Sequence, residues 1–193
     1  MSNMTKENQL EQVLTATNTL KMLGFLLSHP NEELYDRELS RLTGISPAGT
    51  NLSLRELAEI GLIEQLQKGR MKFYRLTLDD PLIRQMKIVK NLSALSSLAE
   101  GLKSSSIRIV LFGSAASGED TKASDIDLFV LTHNKENALN INVKDRLAER
   151  LKPMICTPSE WADISAKNEV LKKEVERGIV LWDEILNKDS RKP

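Results

Sequence analysis

Between Leu111 and Leu131 the chain reads Leu-Phe-Gly-Ser-Ala-Ala-Ser-Gly-Glu-Asp-Thr-Lys-Ala-Ser-Asp-Ile-Asp-Leu-Phe-Val-Leu. No other stretch restricts the fold so tightly. An apolar run leads into Gly113-Ser114, a loop of small residues follows, and two aspartates separated by one residue sit inside a second apolar run. Successive side chains of a strand point to opposite faces. Asp125 and Asp127 therefore share one face, while Ile126, Leu128 and Val130 take the other. Two carboxylates on one strand face are a hard-oxygen ligand pair suited to Mg²⁺. Gly113-Ser114, at the end of the preceding strand, offers backbone N–H groups and a hydroxyl for a phosphate. A phosphate cradle beside a carboxylate pair is the equipment of metal-assisted phosphoryl or nucleotidyl transfer. An Asp-x-Asp pair by itself is usually a solvated loop; burying it in an apolar run breaks a local rule, and such breaks mark function.

The surrounding pattern is that of an α/β module, with strands alternating with helices. Ile107 to Phe112 and Asp125 to Leu131 read as strands, with a short helix starting near Ser114. Lys135 to Leu151 reads as a helix with Leu139, Val143 and Leu147 inward. Met154 to Thr157 is a third short strand, Ser165 to Arg177 a last helix, and Gly178-Ile-Val-Leu-Trp182 the closing segment. His133 reads as a solvent residue at a strand end, with a phosphate contact as the sharper alternative. Cys156 reads as core, and Trp161 and Trp182 as anchors of the closing helix.

The N-terminal half has a different texture. From about Gln9 to Ser28, Val13, Leu14, Leu20, Leu23, Leu26 and Leu27 recur at helical spacing, and His29-Pro30-Asn31 stops the helix. A second helix runs from about Asp36 to Thr43, with Leu39 and Leu42 inward, and ends at Gly44. Ser46 caps a third, with Pro47 at its first position and an inner stripe of Leu54, Leu57 and Ile60. Leu62 to Gln67 and Met71 to Leu76 then form a hairpin around Lys68-Gly69-Arg70. Three helices and a hairpin describe a winged helix-turn-helix. Its outward third-helix positions are Pro47, Ala48, Gly49, Asn51, Leu52, Ser53 and Arg55. Asn51, Ser53 and Arg55 are the candidates for DNA contact, Asn51 and Arg55 being capable of base-edge or phosphate bonds. Lys68, Arg70 and Lys72 on the wing suit backbone phosphates, although charged hairpin edges also serve simply to stay solvated. Asp79-Asp80-Pro81 opens a further helix to about Gly101, striped by Leu82, Met86, Val89, Leu92 and Leu95. That stripe docks on its own domain, links the modules, or pairs with a second copy.

The 193 residues leave room for one domain or two small ones, and 27 Lys plus Arg balance 27 Asp plus Glu. Overall charge therefore does not announce a nucleic-acid binder, though local patches still can. One cysteine excludes an internal disulfide and fits a reducing interior. With no signal-peptide pattern and no apolar run of about 18 residues, the expectation is a cytoplasmic protein outside the membrane.

Gly113-Ser114, the spacer and Ser124-Asp125-Ile126-Asp127-Leu128 resemble the signature of the DNA polymerase beta-like nucleotidyltransferases, above all their minimal archaeal and bacterial members. The ending Glu-Arg-Gly-Ile-Val-Leu-Trp is similar too, and the likeness covers roughly residues 90 to 182. The segment from Leu54 to Ile63 resembles prokaryotic winged-helix regulators. These resemblances imply a flexible N-terminus at 1–8, a winged helix-turn-helix over 9–78, a linking helix over 79–103, a minimal nucleotidyltransferase domain over 104–186, and a flexible end at 187–193. The implied fold is α+β to α/β, with a small mixed sheet and flanking helices. The implied ligands are Mg²⁺ and a nucleoside triphosphate. Asp125 and Asp127 would hold the metal and act in catalysis, Gly113 and Ser114 the β/γ-phosphates, Ser124 would orient Asp125, and Lys122 would reach a phosphate. Implied partners are double-stranded DNA, a HEPN-type protein, and a second copy in a homodimer. Active members of the superfamily usually add a third carboxylate from the next strand, and Lys152 to Thr157 contains no acid. Reduced activity, nucleotide sensing, or rescue by Glu160 are the open alternatives, so the chain is expected to be a DNA-binding regulator carrying a nucleotide-binding transferase fold, or else an active enzyme moving a nucleoside monophosphate to a hydroxyl.

Overall fold

Thr17 is extended (φ −128°, ψ 158°) and its hydroxyl accepts the Leu20 N–H, which starts helix α1 at Asn18–Leu27. The helix therefore does not run unbroken from Gln9, and Val13 and Leu14 lie outside the residues that the computed structural model describes, 16–139 and 145–189. At its other end the His29 ring bonds the Phe25 carbonyl and stacks on the Phe25 ring, so His29 terminates the helix. The chain divides between Val89 and Lys90 into two compact units.

In the first unit, α1 is followed by strand β1 (Leu34–Tyr35), helices α2 (Asp36–Thr43) and α3 (Pro47–Glu59), and strands β2 (Ile63–Lys68) and β3 (Met71–Leu76). Ser46 caps α3 by accepting the Gly49 N–H, with Pro47 at the first position, as the sequence predicts. β2 and β3 pair antiparallel from Ile63–Leu76 to Lys68–Met71, leaving a two-residue turn. Gly69 takes φ +61° there while Arg70 keeps a negative φ, the arrangement of a II′ turn. The brief β1, which the sequence pattern did not reveal, adds to β3 as a third strand. Met22, Leu26, Leu39, Leu54, Leu57, Leu62, Tyr74 and Ile83 form the core. Two expected inner residues are not in it: Leu42 is 45% exposed, because the buried face of α2 runs through Leu39 and Thr43, and Ile60, the residue that closes α3, is 67% exposed.

Helix α4 (Pro81–Leu102) starts where Asp80 accepts the Leu82 N–H. Its buried apolar residues are Ile83, Leu95, Leu98, Ala99 and Leu102, whereas Leu82 and Val89 of the expected stripe are exposed.

The second unit holds strands β4 (Arg108–Phe112), β5 (Ile126–Leu131), β6 (Leu151–Cys156) and β7 (Ile179–Asp183) in the order β6-β5-β4-β7. β4 runs antiparallel to both β5 and β7, and β5 runs parallel to β6, so the sheet is mixed. Short helix α5 (Ser114–Ser117) follows β4; α6 (Lys135–Leu139) and α7 (Asp145–Ala148) follow β5; α8 (Pro158–Lys167) and α9 (Glu169–Arg177) follow β6; α10 (Glu184–Asp189) follows β7. The strand sequences are almost continuously apolar because both faces are covered. Ile109, Leu111, Ile126, Leu128 and Val130 pack with Leu95, Leu98 and Leu102 of α4. Val110, Phe112, Phe129 and Cys156 pack with Trp161 and Ile164 of α8 and Leu171 and Val175 of α9. The single helix expected over Lys135 to Leu151 is not what forms: α7 ends at Ala148 and Leu151 begins β6, while Val143 falls outside the described residues. The last helix is also longer and broken, because Asn168 (φ −132°, ψ 82°) closes α8 and caps α9. Among the described residues no helix is long and apolar enough to cross a membrane.

Candidate functional site

Asp127 is the second residue of β5, on the face covered by α8 and α9, and it pairs across the ladder with Phe112, the last residue of β4. Gly113 follows Phe112 with φ +69° and ψ −155°. A Cβ built on Gly113 would lie 2.6 Å from the Asp127 carboxylate. The acid thus sits against bare backbone where β4 turns into α5, and Ser114 opens that helix half-exposed. Asp125 lies just ahead of β5 and is exposed, so the strand starts one residue later than predicted. Burial pushes the Asp127 carboxyl up, and the charges of Asp125 and of Glu174 on α9 push it further. That field favours a cation beside the pair. The donor set fits one hard cation that retains water or phosphate oxygens. Among the described residues no cluster of three or more His, Cys, Asp or Glu side chains is arranged to hold a metal.

The other expected site residues are placed as follows. Lys122 is exposed in the turn before Asp125. The Ser124 hydroxyl accepts the Thr121 N–H at 2.8 Å, so it builds the turn that presents Asp125. Glu160, the acid that could complete the pair, is engaged elsewhere. Its carboxylate accepts from Lys135 at 2.6 Å and from the Thr157 N–H at 2.8 Å, which hold it well below the usual carboxylate range, at about 2. It also follows Cys156, which is level with Leu131, four residues beyond Asp127 and so about 13 Å along the strand. The position on β6 level with Asp127 is Lys152, a cation in place of an acid. His133 likewise sits past the far end of β5, away from the pair. Cys156 is buried, Trp161 packs on Phe129 at 4.5 Å, and Trp182 donates to the Ser106 carbonyl at 3.1 Å, each a structural role as expected. Sequence reasoning missed Glu174, whose only sequence signal is a charge on an amphipathic helix.

In the first unit, Asn51 and Arg55 are exposed on α3, and Arg70 and Lys72 on the hairpin. Ser53 is not outward: it is 1% exposed and its hydroxyl accepts from Thr19 of α1 at 3.2 Å. Lys68 is bound to Glu33 and lies over the Phe73 ring.

Residues 97–186 match the family model described as Polymerase beta, Nucleotidyltransferase. A crystal structure of a candidate nucleotidyltransferase from Sulfolobus solfataricus is similar over 53% of this chain and 88% of that one, at 15% identity and a TM-score of 0.34. No curated protein matches the chain. The second unit, built around the Gly113–Asp127 contact, thus carries a polymerase beta-type nucleotidyltransferase domain over residues 97–186.

Proposed function

We propose that this domain binds a nucleoside triphosphate with a single Mg²⁺, and that the chain is a DNA-binding regulator whose transferase fold senses that ligand. The observation that carries the nucleotide reading is the Gly113–Asp127 contact, which sets a backbone turn able to approach a phosphate directly beside a carboxylate pair. One Mg²⁺ held by Asp125 and Asp127 would supply charge neutralisation and polarise a phosphate oxygen. Gly113 and Ser114 hold the β/γ-phosphates, and Lys122 supplies a flexible cation to the same group. Turnover ranks second: Lys152 stands level with Asp127 and no third acid joins the pair among the described residues, so no base is evident for a hydroxyl acceptor. Calorimetric titration with ATP or GTP tests the site. Binding to the full chain should require Mg²⁺ and fall at least a hundredfold in Asp125→Ala/Asp127→Ala, about 3 kcal/mol of affinity; equal affinity in the double variant refutes it. Pyrophosphate release from the wild type would move the reading to the enzyme.

The DNA reading treats the first unit as a winged helix-turn-helix. It is supported by the three-residue link Gly44-Ile45-Ser46 between α2 and α3, by exposed Asn51 and Arg55 on α3, and by exposed Arg70 and Lys72 on the hairpin. Lys68 is already engaged by Glu33, so it contributes less than its position implies. In duplex binding over a salt series, Arg70→Ala and Lys72→Ala should each reduce the slope of log K against log salt by about 0.9, and Lys68→Ala by less. Binding that ignores salt would instead assign this unit to a protein partner.

A further inference from the structure

Arg150, between α7 and β6, contacts both peptide groups that flank Asp125. Its backbone carbonyl accepts the Ile126 N–H at 2.8 Å. Its guanidinium Nε donates to the Ser124 carbonyl at 2.8 Å. The same guanidinium donates to the Thr121 carbonyl at 3.1 Å and to Asp120 Oδ2 at 3.3 Å. Asp120 is only 6% exposed, and its other oxygen accepts from Asn91 of α4 at 3.1 Å. Asn91 donates as well to the Ala115 carbonyl at 3.1 Å, inside the short helix that follows Gly113. One connected polar network therefore fixes both halves of the site, the Gly113–Ser114 turn and the segment that presents Asp125.

We propose that Arg150, held by Asp120 and Asn91, is the positioning residue of the metal site. It acts through Asp125 and rests on the reading that Asp125 is a metal ligand. The charge arrangement suits the task. Arg150 gives its charge to Asp120 and its remaining bonds to backbone carbonyls, so the clamp fixes Asp125 without neutralising it. The backbone on both sides of Asp125 is pinned while its carboxylate remains exposed for a cation. The rigid fork reaches the Ser124 carbonyl from Nε and the Thr121 and Asp120 oxygens from its terminal nitrogen; a lysine ammonium at the same place keeps the charge and loses that geometry. Neither Asn91 nor Arg150 touches the proposed ligand, and their effect is on where a ligating oxygen sits, which is how outer-shell partners tune metal sites.

The test uses Mn²⁺ as the probe, read by electron paramagnetic resonance on the full chain at saturating ATP. Arg150→Lys should weaken Mn²⁺ roughly 10- to 100-fold and alter the line shape of the bound ion. Asn91→Ala should shift both in the same direction by less. Leu98→Ala, which loosens the core packing of the same unit, is the control: it lowers the melting temperature and leaves Mn²⁺ affinity as in wild type. Wild-type affinity and line shape in a folded Arg150→Lys overturn the clamp, and if that variant does not fold, the same result in Asn91→Ala does. Mn²⁺ affinity that is equal in wild type and Asp125→Asn removes the metal reading itself and the clamp with it. A difference between those two, with Arg150→Lys like wild type, removes the clamp alone.

Discussion

Gly113→Ala lowers the stability of the second unit by roughly 3 kcal/mol and abolishes magnesium-dependent nucleotide binding. Two independent costs add. The first is backbone strain: φ +69° with ψ −155° is a region that only glycine occupies readily, and an L side chain there costs about 1–3 kcal/mol. The second is contact, since the new methyl would arrive 2.6 Å from Asp127 Oδ2, closer than any real Cβ contact. Asp127 is fixed at the start of β5 by its pairing with Phe112, so the carboxylate must rotate or the β4–α5 turn must open. Either response separates the turn from the acid, which is why binding is lost and not merely weakened. Denaturant unfolding together with nucleotide titration reads both effects. A double-mutant comparison divides them. In an Asp127→Ala background the contact is gone, so the residual cost of Gly113→Ala should be the strain alone. If the cost is the same in both backgrounds, the close approach has no energetic role and only the backbone conformation matters.

The strand–turn–strand around this contact was legible because every feature of it is local. Apolar runs announce β4 and β5, and a glycine and two acids interrupt them where an uninterrupted core strand would be simpler. What escaped depends on distance or on polar residues that are satisfied. Asp120 lies 29 residues after Asn91 and Arg150 a further 30 along the chain, and each alone reads as a solvated surface residue. Ser53 misled for a related reason. The buried face of α3 is Thr50, Ser53, Leu54 and Leu57, a regular helical stripe, but half of it is polar. Counting only apolar residues extended the stripe to Ile60, which is exposed, and turned Ser53 outward, although the Thr19 hydroxyl makes its burial inexpensive. The break at Asn168 was invisible because Trp161, Ile164, Leu171 and Val175 keep helical spacing across it, so periodicity continues where the backbone does not. The opposite ends of β6 show the limit of motif matching. Reading acids by nearness in sequence favoured Glu160, whereas sheet register sets Lys152 beside Asp127 and helix packing brings in the charge of Glu174.

Replacing Asp127 by asparagine should make the chain more stable at neutral pH while destroying its affinity for magnesium. In the folded protein the Asp127 carboxyl lies above its ordinary value of 3.8, first from burial and then from the charges of Asp125 and Glu174. Between the ordinary value and the raised one, the folded state therefore holds a proton that the unfolded chain has already released. Stability falls as pH rises from the ordinary value through the raised one, and above that window the penalty is fully present. Asparagine has nearly the same shape and no charge, so it removes the penalty; substitutions that relieve strained functional sites commonly add about 0.5–2 kcal/mol. For a chain of this size that is a rise of about 1–8 °C in melting temperature. The sign is specific to pH: the advantage of Asp127→Asn should shrink on acidification and vanish below about pH 4, where the wild-type carboxyl is protonated in both states. Mg²⁺ should act in the complementary way, raising the wild-type melting temperature at pH 7 by occupying the repelling pair and leaving Asp127→Asn where it was. Melting curves from pH 3.5 to 8, with and without Mg²⁺, separate this from simple repacking. A variant that is less stable at neutral pH, or whose advantage persists unchanged into acid, would mean that the two aspartates are not held in mutual repulsion, and the energetic reason for a cation to enter between them would disappear.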